Sequence, residues 1–176
     1  VLLGFNTDYY GILGVLQNEI KLPPNAKVLV YGAGAVVRSV IHALRTVGNF
    51  DIHIMARNKS KAETIAHELG AKSLHESGAN NMNFALLINA TPASTADPSH
   101  QLFGLISHAT TIFDVVVSTT PTALEQHIVF KKQGLSQNKT YVSGLCMYQC
   151  QFQKQFLIYT GIEPALDQIK TLTSEY

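Results

Sequence analysis

Val28-Leu29-Val30-Tyr31-Gly32-Ala33-Gly34 is the stretch that decides the fold. Its first four residues are apolar, mostly β-branched or aromatic, and read as a short buried strand. Ala35 to Val47 follows, with Val36, Val40, Ala43, Leu44 and Val47 apolar at roughly helical spacing, and Gly48-Asn49 ends it. A strand, a glycine turn and a helix form the opening unit of a dinucleotide-binding Rossmann fold. The first glycine permits the tight turn, and the second lets backbone N–H groups approach a pyrophosphate at the positive end of the helix. Gly32, Ala33, Gly34, Ala35 and Val36 are therefore candidate cofactor contacts. Two residues depart from the usual fingerprint. Val37 stands where glycine or alanine is usual, and Ala35 adds a methyl. The loop is expected to hold a cofactor less tightly than its relatives, or in a shifted pose.

Outward from this loop, strands and helices alternate. Ile52–Met55 reads as a strand. Ser60–Leu69 reads as a helix with Ser60 as N-cap, Glu63 three residues on and Gly70 closing it. Phe84–Asn89 and Thr110–Val117 read as strands buried on both faces, as in a parallel sheet. Thr122–Lys132 reads as a helix, Thr140–Ser143 as a short strand, and Met147–Tyr159 as a long helix. A break at Gly161–Pro164 and a shorter helix end the chain. The order predicts an α/β fold with a doubly wound parallel sheet. A helix over Asp8–Ile20 precedes the pattern, separated from it by Pro23-Pro24. Residues 1–24 are thus expected to be a hinge helix arriving from a missing N-terminal substrate domain. Residues 25–145 would be the Rossmann domain, and 146–176 helices packing back toward that missing domain.

The end of the second strand speaks to cofactor choice. An NAD-selective site places a carboxylate there for the ribose 2′-OH. This chain has Ala56-Arg57-Asn58-Lys59. Arg57 is a planar, permanent cation suited to a 2′-phosphate, and Lys59 adds charge. The reading is NADP over NAD, with Ala56, Arg57, Asn58 and Lys59 as contacts.

Composition excludes other classes. Hydrophobic residues are 46% of the 176 and charged ones 14%, as in a folded globular chain. A formal net charge of +1 gives no general attraction to nucleic acid or anionic membranes. No apolar run is long enough to span a bilayer. Val1–Phe5 lacks the features of a signal peptide, and the chain lacks an initiator Met, as a piece of a longer protein would. The two cysteines, Cys146 and Cys150, read as partly buried thiols of a cytoplasmic protein. The seven histidines show no ligand spacing, so no metal is expected. A homo-oligomer stays open.

A series of motifs runs in order along the chain: Gly4-Phe-Asn6-Thr7-Asp8, Gly32-Ala-Gly34, Ala56-Arg57-Asn58-Lys59-Ser60-Lys61-Ala62, Ile88-Asn89-Ala90-Thr91-Pro92, Phe113-Asp114-Val115-Val116, and Ser143-Gly144…Met147…Gln151…Phe156…Thr160-Gly161. The series resembles the C-terminal portion of the shikimate dehydrogenase family. The resemblance implies a two-domain NADP-dependent oxidoreductase whose other domain carries a serine pair and a catalytic lysine. It implies that Asp8 pairs with that lysine and contacts a substrate hydroxyl, and that Gln151 reaches the substrate. It further places Asn89-Ala90-Thr91 along the nicotinamide half of the cofactor, and Val116 and Gly144 close to it.

The resemblance implies reversible hydride transfer between NADP(H) and a ring alcohol or ketone, from 3-dehydroshikimate to shikimate in the family. This chain alone, without the lysine domain, is expected to be inactive. Val117 stands where the family has a tyrosine that helps hold substrate, and Ser118 and Thr119 replace an asparagine and a proline. These departures resemble a divergent branch and leave shikimate and related cyclitol acids open as substrates. Val117 and the bulky glycine loop also favour the rival reading, a nucleotide-binding sensor or regulatory module without catalysis. Asp8 and Gln151 argue for the enzyme, since a sensor has no use for substrate contacts.

Overall fold

A computed structural model describes residues 3–96, 100–130 and 139–173. Six parallel strands form one sheet: β1 (Lys27–Tyr31), β2 (Asp51–Met55), β3 (Lys72–Ser73), β4 (Phe84–Asn89), β5 (Ala109–Asp114) and β6 (Thr140–Val142). Their order is β3-β2-β1-β4-β5-β6, the doubly wound Rossmann order. The strand order reverses between β1 and β4, which pair from Val28↔Leu86 to Tyr31↔Asn89.

Side-chain alternation along the strands builds a core on each face of the sheet. Val28 and Val30 of β1 join Leu86 and Ile88 of β4 on one face. Leu29 and Tyr31 join Leu87 on the other. The first face is covered by α1 (Thr7–Asn18), α2 (Val36–Val47), α3 (Lys59–Glu68) and α7 (Gly144–Thr160). The second is covered by α4 (Glu76–Ala79), α5 (Gln101–Leu105) and α6 (Ala123–Phe130). Helix α8 (Leu166–Thr173) packs beside α7 through a hydrogen bond from Gln149 Nε2 to Thr173 Oγ1. Val37 is fully buried, so the bulky third fingerprint position fills the layer between α2 and the sheet.

Several sequence expectations are corrected. Ser60 is not the N-cap of α3. Asn58 is, its side-chain oxygen accepting from Lys61 N at 3.0 Å, and the helix starts at Lys59. The β5 strand stops at Asp114 rather than Val117, because Asp114 turns back to accept from Val116 N. Helix α7 starts at Gly144, so the boundary placed after residue 145 falls inside a helix. The predicted end of the sixth helix at Lys132 lies outside the described residues. The short β3, α4 and α5 were not legible, for they carry too few residues to show a period.

Helices α1 and α7 meet at unusually close range. A Cβ on Gly14 would lie 2.7 Å from both Cβ and Sγ of Cys150, and one on Gly11 would lie 2.8 Å from the Met147 carbonyl oxygen. Gly14→Ala is expected to destabilise the protein by roughly 1–3 kcal/mol through overpacking. Cys150→Gly in the same chain should restore part of the loss. Thermal unfolding of the single and double variants checks this; equal melting of Gly14→Ala and the parent would show that the helices part freely.

Candidate functional site

The C-terminal ends of the strands carry the site, as the fold dictates. Gly32 leaves β1 with φ +139°, a conformation that a side chain would strain, and its N–H donates to the Met55 carbonyl. A Cβ there would also strike the Ala90 carbonyl oxygen at 2.8 Å. Gly34 meets nothing within 4 Å. Beyond it α2 opens on Ala35, whose side chain gives no cap. Val37 N–H and Arg38 N–H turn to the Gly34 and Ala35 carbonyls at 3.3 Å each, and no side chain stands over the helix end. An open approach to a helix end free of side-chain caps is what a pyrophosphate needs.

A cleft of about 600 Å³ joins this loop to the ends of β2 and β4. Gly32, Ala33, Gly34, Ala56, Arg57, Asn58 and Thr91 line it, seven of the residues marked in the sequence. Lys59 does not line it, because the Asn58 cap sets the first turn so that Lys61 lines the cleft instead. Sequence reasoning missed Lys61, Tyr31 and His100 as lining residues. Lys61 had a signal, a second cation four residues past Arg57, one helical turn on. His100 had none, because it caps α5, a helix too short to predict, with Nδ1 accepting from Leu102 N. Its ring meets Tyr31 edge-on, with centroids 6.1 Å apart. Ala35 lies across the ridge, lining a separate hollow with Asn6, Tyr9 and Arg38. Val36 is packed against the core.

Asn89 plays a different part from direct contact. It is fully buried, and its whole amide is committed. Nδ2 donates to Thr91 O and to Asp114 Oδ1, each at 2.9 Å. Oδ1 accepts from Thr91 N at 3.2 Å and Thr91 Oγ1 at 2.7 Å. Asn89 therefore shapes the Ala90-Thr91 turn, leaving Thr91 as the side chain at the cleft. Ala90 itself is buried. Asp114 pairs with Asn89 in the β4–β5 register. It also accepts from Val116 N at 3.2 Å, and the Tyr141 hydroxyl lies 3.4 Å from Oδ2. Burial pushes the Asp114 carboxyl up, while the hydrogen bonds from Val116 and Asn89 pull it back. Burial also raises the Tyr141 phenol, and the Asp114 charge adds to the shift. Val116 and Gly144 touch: a Cβ on Gly144 would fall 2.2 Å from the Val116 carbonyl oxygen. Val116 lines a smaller hollow of about 180 Å³ with Tyr141 and Ser143.

Asp8 and Gln151, 143 positions apart, are brought together. Gln151 Nε2 donates to Asp8 Oδ1 at 2.9 Å and to Thr7 Oγ1 at 3.1 Å. Asn6 caps the helix below them, its side-chain oxygen accepting from Tyr9 N, and its own amide donates to Ser39 Oγ of α2 at 3.0 Å. That last bond ties the Asp8 end of α1 to the helix that follows the glycine loop.

Comparison with known proteins agrees with this geometry. The family model for shikimate / quinate 5-dehydrogenase matches residues 16–97. A shikimate dehydrogenase (NADP(+)) of Alteromonas mediterranea is 30% identical over 173 residues, covering 96% of this chain and 60% of that protein. The crystal structure of shikimate 5-dehydrogenase from Thermus thermophilus, in complex with NADP(H) and shikimate, superposes with TM-score 0.77 at 27% identity. That match covers 98% of this chain and 63% of the other. Over nearly its whole length the chain is thus similar to shikimate dehydrogenases. It is also 26% identical to a shikimate dehydrogenase-like protein of Haemophilus influenzae, over 93% of this chain and 59% of the relative. The chain spans about 60% of the length of the shikimate dehydrogenases it matches. Among the described residues no helix is long and apolar enough to cross a membrane, and no cluster of ligating side chains could hold a metal.

Proposed function

We propose that the protein is an NADP-dependent oxidoreductase of shikimate dehydrogenase type. It interconverts a ring alcohol and its ketone, with shikimate or a related cyclitol acid as substrate. The observation that carries the reading is the single cleft shared by the open glycine turn, Arg57 and Lys61. A carboxylate at the end of β2 would select NAD; two cations on the cleft suit the 2′-phosphate of NADP. The bound nicotinamide supplies the redox chemistry, and the chain supplies position and charge. Gly32–Gly34 and the first N–H groups of α2 would hold the pyrophosphate. Thr91, on the turn shaped by Asn89, would border the nicotinamide half.

The hydrogen-bonded Asp8 and Gln151 supply the substrate side. Gln151 would contact a substrate hydroxyl. Asp8 would hold a lysine of a second domain, keeping its ammonium charged and aimed at the ketone oxygen as proton donor. That second domain is the partner this reading requires, and the present chain alone would bind cofactor without turnover. The Alteromonas and Thermus relatives, named for NADP(+) and NADP(H), support the cofactor. The sensor reading draws on Val117, an exposed apolar residue beside the site.

Arg57→Ala is expected to weaken NADP binding by about 1.5–3 kcal/mol, the range for a charge-assisted hydrogen bond, and to leave NAD binding nearly unchanged. Calorimetry with both cofactors reads this directly. Equal losses would show that Arg57 does not read the phosphate. Turnover of the full-length protein with NADP and shikimate, quinate and related acids separates enzyme from sensor.

A further inference from the structure

Asp114 is a buried carboxyl with no cationic partner among the described residues. It is fully buried, and its partners are donors: the Asn89 amide, the Val116 N–H and the Tyr141 hydroxyl. Donors on both oxygens suit the ionised carboxylate, which only accepts. No Lys, Arg or His forms an ion pair with it among the described residues. Burying an unpaired anion is costly, and apolar or neutral residues would fill the same place more cheaply. Groups kept at such a cost gather at functional sites.

Its place in the sheet suggests what it serves. A dinucleotide lies across the crevice where the strand order reverses, one half on each side. Here the reversal is between β1 and β4, and Arg57 at the end of β2 marks the adenosine side. The nicotinamide half then belongs to the β4-β5-β6 side. Asp114 ends β5, in register with Asn89, which is itself in register with Tyr31 at the mouth of the glycine turn.

We propose, on the cofactor reading above, that Asp114 is the internal counter-charge of the nicotinamide ring and biases the protein toward the oxidised cofactor. The ring carries a positive charge when oxidised and none when reduced. A fixed buried carboxylate on that side attracts the first form and is indifferent to the second. Low polarisability around a buried group lets such an attraction reach across a layer of backbone. Asp114 does this from behind the Asn89 turn and the Val116 backbone, as a positioning charge rather than a catalytic group.

The test compares NADP+, NADPH and adenosine 2′,5′-bisphosphate, which has no nicotinamide, binding to the protein and to Asp114→Asn. The amide keeps the volume. Its oxygen can still accept from Asn89 and Val116, and its NH2 can donate to the Tyr141 oxygen. The expected result is unchanged bisphosphate affinity, NADPH within about twofold, and NADP+ about tenfold weaker, a difference of ~1.4 kcal/mol. Asp114→Ser, which removes the charge by another route, should give the same selective loss should the Asn variant fold poorly. Equal loss of NADP+ and NADPH, or loss of neither, overturns the inference while leaving the cofactor reading intact. If both variants also lose the bisphosphate, Asp114 is a folding residue and the inference falls. A parent protein that binds none of the three overturns the cofactor reading itself.

Discussion

Gly144→Ala is expected to lower the melting temperature by on the order of 10 °C or more. The added Cβ would lie 2.2 Å from the Val116 carbonyl oxygen, 2.5 Å from its carbon and 2.9 Å from the Val115 carbonyl carbon. Those are backbone atoms, and they cannot swing aside as a side chain would. Val115 N donates to Asn89 O at 3.1 Å, and Val116 N donates to Asp114, so retreat breaks the β4–β5 edge. Retreat by α7 is blocked as well, since it is wedged against Gly11 and Gly14 of α1. Ordinary overpacking costs about 1–3 kcal/mol; a rigid backbone clash belongs at the upper end or beyond, ~4 kcal/mol. At 2–4 °C per kcal/mol for a chain of this size, that gives the stated drop. Circular dichroism on heating checks it. A variant melting within a few degrees of the parent would show that the contact yields.

The second large effect concerns Asp8. In the full-length protein, Asp8→Asn is expected to lower kcat by about 10²–10⁴, the usual contribution of a positioned acid or base. The amide keeps the size of the side chain, and its oxygen can still accept from Gln151 Nε2. What it loses is the negative charge that would hold a lysine. NADP affinity should not change, because the α1 cap and its tie to Ser39 remain intact. Gln151→Ala should act chiefly on KM, since it removes a substrate contact while leaving the carboxylate in place. Steady-state kinetics with a separate cofactor titration distinguishes the two. Normal turnover by Asp8→Asn would remove Asp8 from the chemistry.

Legibility differed sharply between parts of the molecule. The strands β1, β2 and β4, the helix α2 and the parallel order could be read because each of these elements shows its own apolar pattern, and the glycine turn fixes which end carries the site. The cap of α3 was misplaced by two residues: Asn58 and Ser60 are both good caps by chemistry, and only the fold shows which N–H groups Asn58 meets. The end of β5 was misread because Val115, Val116 and Val117 continue an apolar run. Asp114's bond to Val116 ends the strand, and no periodicity announces that. His100 and the close packing of Gly11 and Gly14 were invisible for a related reason, being facts about partners distant in sequence. The meeting of Asp8 with Gln151 joins residues 143 positions apart, a distance that no local pattern reports.

The packing of α1 on α7 also sets a schedule. The partner that Asp8 needs is 143 residues downstream. At roughly 5–20 residues per second of synthesis, Asp8 leaves the ribosome about 7 to 30 seconds ahead of Gln151. Until then α2 can cover part of its apolar stripe of Ile12, Val15 and Leu16, but the glycine face has nothing to receive it. The contact spans 143 positions, so its loop-closure cost is met late in folding. The helix that carries Asp8 is then secured only once α7 has been made.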